Sequence, residues 1–463
     1  MATFRPDPTF YPSARMAMEA PPERLAYVAM INVDGSRPDA LAVVDVDPAS
    51  STYGRTVGQL DMPNAGDELH HFGWNACSSA LCPYAPHPHV ERRYLIVPGL
   101  RSSRIHVIDT RPDPRRPSLI KAIEAGELAR RTGYSRPHTL HCGPDGIYVS
   151  ALGNPEGDGP GGVFVLDHDS FDVLGRFEVD RGPQYLAYDF AWHLGYDTMV
   201  TSEWGTPNMI EGGLVPELLL AGKYGKRLHV FDLRRRRHLQ TLDLGDAQQL
   251  VLELRPAHDP TRVYGFAGVV VSLEDLSSSI WLWYLSGGTF HVQKVIEIPA
   301  EPADPALLPP LLQGFKAVPP LVTDIDLSLD DRFLYVSCWG TGEMRQYDVS
   351  DPLNPSLTGS VHVGGIVRRA PHPASPTPRN GGPQMVEVSR DGRRVYVTNS
   401  LYGPWDGQFY PDGISGWMAR LDVGPNGGLS FDRRFFLETP PGYRPHQVRL
   451  EGGDASSDSF CFP

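Results

Sequence analysis

Seven times along this chain a short apolar strand pattern is followed by a second one that usually closes on Asp. A tight turn or an inserted loop separates the two. The pairs are residues 25–31 with 41–46, 94–100 with 104–109, 146–152 with 162–167, and 198–204 with 227–232. They continue as 265–272 with 280–284, 333–339 with 343–348, and 394–401 with 418–422. The spacing is about 60–65 residues, longer than the ~40–45 of compact propeller repeats, so most units carry insertions. Seven similar antiparallel units that can bury their faces only against one another predict a β-propeller.

The same pattern organises the rest of the chain. A further strand leads each pair, clearest at 322–328 and 384–389, where alternating residues run into an Asp-containing turn. The slot recurs at 137–142 and 184–192, and more loosely at 69–77 and 252–258. The first pair has no such leader. The C-terminal segment Arg444-Pro445-His446-Gln447-Val448-Arg449, which resembles Arg136-Pro137-His138-Thr139-Leu140, has no pair after it. The expected fold is therefore all-β: a seven-bladed β-propeller with long inter-strand insertions, its ring closed by the C-terminal strand joining the N-terminal blade. Residues 1–463 are expected to form one domain, with an N-terminal extension at 1–22 and inserted loops at 205–225, 299–320 and 366–383. A short helix is expected at 216–221, and 119–132 has helical composition.

Length alone would suggest about three domains, but blades count as one unit. The 47 Gly and 45 Pro of the 463 residues suit many short strands and turns. A net charge of −13 argues against nucleic acid as a partner, and the run Arg234 to Arg237 reads as a solvated turn. No stretch approaches the ~18–20 apolar residues of a membrane span. The first residues lack the pattern of a secretory signal, so a cytoplasmic location is expected, or a periplasmic one if a leader is removed. The five cysteines, Cys77, Cys82, Cys142, Cys338 and Cys461, are odd in number and widely spread, and no disulfide framework is expected.

In a propeller the leading strand of every blade lines the central channel, so distant positions meet at one mouth. That slot holds His70-His71, His138, Tyr188-Asp189, Glu253, Asp324, Gln384 and His446. Such an imidazole set suits copper, zinc, iron or nickel. His141 joins the set only if its strand starts late, because residues three apart on a strand face opposite ways. His87-Pro88-His89 is read as an exposed loop, and His168, His229, His238, His291 and His362 as surface or packing residues. Cys77 lies near the His70-His71 turn and is either a reactive thiolate or a buried thiol, while Cys142 and Cys338 read as core. No nucleophile elbow, phosphate loop or dinucleotide fingerprint stands in its required context.

Long segments carry a resemblance to a known family. They include Asp67-Glu68-Leu69-His70-His71-Phe72-Gly73-Trp74-Asn75, Gly99-Leu100-Arg101-Ser102-Ser103-Arg104-Ile105 and Pro137-His138-Thr139-Leu140-His141-Cys142. Ser202-Glu203-Trp204-Gly205, Thr323-Asp324-Ile325, Arg345-Gln346-Tyr347-Asp348-Val349-Ser350-Asp351-Pro352 and Pro445-His446 extend it over nearly the whole chain. In these the chain resembles the selenium-binding protein/methanethiol oxidase family. The resemblance implies a copper-dependent oxidase that turns methanethiol, O2 and water into formaldehyde, hydrogen sulfide and hydrogen peroxide. It implies His70, His71, His138 and His446 as metal ligands, with His141 as a fifth candidate. Glu203, Asp324 and Glu253 are then the carboxylates that orient ligands or move a proton, and Trp74, Trp204 and Cys77 line the substrate pocket. A small thiol and O2 are the implied partners, and a metal-loading accessory protein is a further one. The alternative on the same scaffold is a non-catalytic copper or selenium carrier. The position matching the selenium-associated Cys of animal members is Gly54, and a Cys-x-x-Cys of some members is replaced by Cys77-Ser78-Ser79-Ala80, which weakens the case for selenium.

Overall fold

The computed structural model describes residues 5–83 and 87–463. Seven antiparallel four-stranded sheets make up the β-propeller. Six are built from consecutive strands, with innermost strands Gly73–Trp74, Ser135–Cys142, Phe190–His193, Gln248–Pro256, Val322–Leu327 and Val386–Val388 for blades 2 to 7. Blade 1 takes Leu25–Asn32, Pro38–Asp45 and Thr56–Ala65 from the start of the chain, and its innermost strand is Tyr443–Leu450 from the end. The closing pair is antiparallel, with Val28 opposite Val448 and Met30 opposite Pro445. Ring closure is thus the one expected, and it leaves no free sheet edge at the seam.

Apolar faces of neighbouring sheets make the core. Phe266, Ile280 and Leu282 of blade 5, for example, meet Ile325, Leu334 and Val336 of blade 6, all essentially buried. Each such side chain contributes about 1.5–3 kcal/mol by leaving water. Buried aspartates staple successive blades. Asp39 accepts from Leu69 N (2.9 Å), Asp189 from Leu254 N (2.7 Å), Asp324 from Val386 N (2.7 Å) and Asp326 from Val388 N (2.9 Å). Each supplies a buried backbone donor with the partner that the gap between sheets would otherwise deny it.

Four details depart from the sequence expectations. Residues 119–132 do not form one helix. Ser118–Ile123 is the outer strand of blade 2, and the helix is confined to Ala125–Thr132, ending on Gly133 at φ 70°. The insert at 205–225 holds two short helices, Pro207–Ile210 and Pro216–Leu220, each opened by Pro. The insert at 299–320 holds a small ribbon, Glu301–Pro302 with Ala317–Val318. Finally, four of the five cysteines pair, Cys77 with Cys142 (Cα–Cα 6.1 Å) and Cys82 with Cys461 (5.2 Å), leaving Cys338 buried and free. The expectation of no disulfide framework is overturned, because an odd count hid two pairs and partners as far as 379 residues apart.

The innermost strands share a device that sequence periodicity does not show. Their register slips by one residue at the same level in several blades. Residues 138 and 139 stand opposite Ser150 alone, 252 and 253 opposite Gly268, and 446 and 447 opposite Ala29. These are β-bulges, which bend a strand and re-aim a side chain. Two residues upstream, the backbone of Glu68, Arg136, Leu250 and Leu321 is left-handed (φ 55°, 57°, 66° and 53°), at a cost of about 1–3 kcal/mol each for a non-glycine residue. The strain is concentrated where the strands turn into the channel.

Candidate metal centre

The bulges aim His138 and His446 at the axis, and the turn before Gly73–Trp74 supplies His70 and His71. All four imidazoles are buried to within 2%. His70 stacks on His446 with ring centres 3.7 Å apart, and His71 lies 4.0 Å from His138. His70 is also 5.2 Å from His71 and 5.0 Å from His138. One nitrogen each of His70, His71 and His446 falls within 4.8 Å of the others. Four histidines from three blades therefore form one cluster.

Their outward nitrogens are fixed. His446 Nδ1–H donates to the Ser400 carbonyl at 2.6 Å, which leaves Nε2 as a lone pair. His138 Nδ1 lies 3.0 Å from Thr139 Oγ1, and His71 Nδ1 3.4 Å from the same hydroxyl. Ser400 is itself held: its hydroxyl donates to Asp406 at 2.6 Å and accepts from Arg444, whose guanidinium also pairs with Glu68. By contrast His71 Nε2, His138 Nε2, His446 Nε2 and both nitrogens of His70 are buried with no hydrogen-bond partner. Buried polar atoms are rarely left unmatched, and unpartnered nitrogens of His70, His71 and His446 gathered within 4.8 Å, with His138 packed beside them, fit a soft or borderline transition-metal ion. Burial first, and the neighbouring imidazoles second, push His70 and His71 well below the ordinary imidazole range, and His138 likewise. Burial lowers His446 to about 3. All four are neutral at pH 7, as metal ligands must be.

Aromatic side chains enclose the cluster. Tyr188 lies 4.3 Å from His138, Tyr402 6.0 Å from His70, and Trp204 6.5 Å from His138 and 5.3 Å from Tyr188. Tyr188 O–H donates to Glu253 Oε1 at 2.9 Å, and that oxygen is 3.5 Å from His71 Nε2. Glu253 leads on to Arg255 (3.0 Å), whose guanidinium also faces Asp324 (3.1 Å), Asp326 (3.4 Å) and Asp189 (3.6 Å). One buried cation thus serves four carboxylates. Burial and the Glu253 charge raise Asp324 well above the usual carboxylate range and Asp189 to about 8. A column of buried acidic side chains gathered round one guanidinium therefore fills the channel below the imidazoles.

The remaining expected residues separate into two groups. Glu253 and Trp204 join the cluster's surroundings. Glu203 does not: it accepts from His229 Nε2 at 2.9 Å within blade 4. Asp324 is a blade staple with both oxygens in use, on Ile325 N, Arg255 and Val386 N. Trp74 is packed edge-on against Tyr27 (5.7 Å), and its indole N–H donates to Leu450 O, so it belongs to a blade seam and not to a pocket. Cys77 is consumed by its bond to Cys142 and is no thiolate. His141 points away from the cluster, against Phe190 (5.3 Å), and lines a separate cavity of about 340 Å³ at the far end of the channel. The bulge at 138–139 separates the two histidines of that strand. His87, expected in an exposed loop, is buried and stacks on His168 at 4.3 Å. Sequence reasoning missed Ser400, Thr139 and Tyr402. It also missed Arg255, whose signal was available: alternating Glu253 and Arg255 inside an otherwise apolar strand.

A propeller whose channel mouth carries four sealed imidazoles with free lone pairs presents a site suited to a metal ion. The family model described as "56kDa selenium binding protein (SBP56)" matches residues 4–461. The chain belongs to that selenium-binding protein family. It is 40% identical to "Selenium-binding protein 2" of Mus musculus and to "Methanethiol oxidase" of Bos taurus, in each case over 97% of both chains. A crystal structure of a hypothetical selenium-binding protein from Sulfolobus tokodaii is 60% identical and superimposes with a TM-score of 0.96 over 99% of this chain and 100% of that one.

Proposed function

We propose that this protein is a copper-dependent methanethiol oxidase, converting methanethiol, O2 and water to formaldehyde, hydrogen sulfide and hydrogen peroxide. The observation that carries the reading is the cluster of buried, unpartnered imidazole nitrogens, those of His70, His71 and His446 within 4.8 Å of one another, together with the activity named for relatives such as that of Bos taurus. His70, His71, His138 and His446 would hold the ion, and copper there would supply the one-electron and O2 chemistry that side chains lack. The other residues prepare the site. The Ser400 carbonyl and Thr139 hydroxyl orient the rings. Tyr188, Tyr402 and Trp204 keep water out. Of Glu203, Asp324 and Glu253, only Glu253 lies beside an imidazole of the cluster, which supports giving it the proton-handling role. A cytoplasmic location and a metal-loading accessory protein remain part of this proposal.

A second reading is a carrier that binds copper or selenium without turnover. The complete burial of the imidazoles favours it. Selenium held by thiols draws no support, since Cys338 is the one free cysteine and it is buried. Metal analysis and copper EPR of the native protein, with peroxide and sulfide measured on methanethiol, separate the readings. The oxidase predicts both products in proportion to copper, and their loss in His138→Ala/His446→Ala. Full turnover in copper-stripped or doubly substituted protein overturns it, and copper-loaded protein without products selects the carrier.

A further inference from the structure

A sealed site needs a way in, and the two ends of the channel differ sharply. From the far end, a guest would have to cross the column of Glu253, Asp189, Asp324 and Asp326 packed within 3.0–3.6 Å of the Arg255 guanidinium. On the mouth side, the inserts at 205–225 and 299–320 fold over the imidazoles and leave a cavity of about 80 Å³. That is several times the ~10–15 Å³ one water needs. Its walls are almost wholly apolar, with Leu214, Leu250, Val270, Leu312, Leu401 and Trp405 prominent. The polar side-chain atoms that reach it are already committed. Trp405 N–H donates to Ile210 O, Trp339 N–H donates to Asn399 O, and the Thr323 hydroxyl lies between Ser337 Oγ and Gln384 O. Such a space gives water nothing to bond and stays dry, ready for small apolar guests.

The cavity runs inward from the surface toward the site. Leu220 and Phe315 at its outer rim are 65% and 48% exposed. At its inner end Trp405 packs 5.6 Å from Trp204, the wall of His138, and Leu401 precedes Tyr402, the wall of His70. One layer of aromatic rings separates it from the imidazoles.

We propose that this cavity is the route by which small uncharged molecules, short alkyl thiols and dioxygen, reach the histidine cluster, and that it excludes thiols bearing a charge. The inference rests on the oxidase reading and adds its specificity device: an ionised carboxylate or sulfonate would have to shed its hydration to enter a space without polar partners.

Xenon under pressure in crystals of the native protein should occupy the space between Leu214, Leu312 and Trp405. In Leu312→Phe that occupancy should vanish and kcat/KM for methanethiol should fall by about tenfold or more, with copper content and EPR unchanged. Leu311→Phe, at the less buried side, serves if Leu312→Phe does not fold. Native protein should show no turnover of 2-mercaptoethanesulfonate. Xenon absent from the native cavity, unchanged kcat/KM in a filled variant, or ready turnover of the sulfonate overturns the route. Quenching of tryptophan fluorescence by dissolved O2 reads the same path without catalysis and should weaken in the filled variant. If native protein oxidises no thiol while that quenching difference holds, the oxidase reading fails and the route stands. Equal quenching in both proteins sinks the route alone.

Discussion

At the scale of single residues the site is defined by lone pairs that nothing in the protein uses. Because burial holds His446 near 3 and the other three imidazoles well below 6.5, protons do not compete for them until the solution is strongly acidic. The sign follows: imidazoles held below the ordinary range take up protons only at lower pH, so intrinsic copper affinity should fall far less between pH 8 and 5 than for ordinary imidazoles. Ordinary imidazoles near 6.5 would instead lose about tenfold per ligand for each unit below that value. Chelator competition at pH 5, 6.5 and 8, corrected for the chelator's own titration, measures this; a hundredfold loss at pH 5 would contradict it. Arg255 makes the opposite case. Arg255→Met removes the cation shared by four buried carboxylates and should cost about 3–5 kcal/mol in urea unfolding. His70, His71, His138 and His446 were legible in the sequence because they fall in equivalent slots of the repeat. Plain alternation already set His141 apart from His138, whereas the place of Trp74 was not legible, because it is fixed by Tyr27 of the neighbouring blade.

Elements were legible to the extent that they are buried on both faces. Inner strands and the pairs beside them are near-continuous apolar runs, and their positions follow from the repeat. The outermost strands, such as Thr56–Ala65 and Thr289–Ile298, alternate exposed and half-buried residues and carry little signal of their own. Ser118–Ile123 is one of these, and its Lys and Ala next to a true helix blurred strand into helix. The C-terminal tail beyond Leu450 was also silent in sequence. It crosses the far end of the channel, where Asp458 pairs with Arg92, Ala455 N donates to Val388 O, and Cys461 bonds Cys82. Cys461→Ser should cost about 2–4 kcal/mol by releasing a cross-link of very long span. Thiol counting on the denatured, unreduced chain should return one cysteine, Cys338. Five reactive thiols would refute the pairing.

Over the whole molecule, seven sheets form one ring in which every blade leans on two neighbours. We expect residues 1–463 to unfold as one cooperative unit: thermal unfolding of the metal-free protein should give a single transition with matching calorimetric and van't Hoff enthalpies. Two separated transitions would show that an arc of the ring stands alone. A chain ending at residue 442 loses the innermost strand of blade 1. It should bind no copper even if it stays compact, which gel filtration with metal analysis would test.

The strand that closes the ring also carries His446, while His70 and His71 come from the first quarter of the chain. Translation therefore delivers His446 after His70, His71 and His138, and no partial product that stops short of it owns the full cluster. On the proposed copper reading, a chain truncated before His446 would lack the closing ligand, so a half-folded product could not cycle the metal against oxygen. Completing the circle and arming the chemistry are one event.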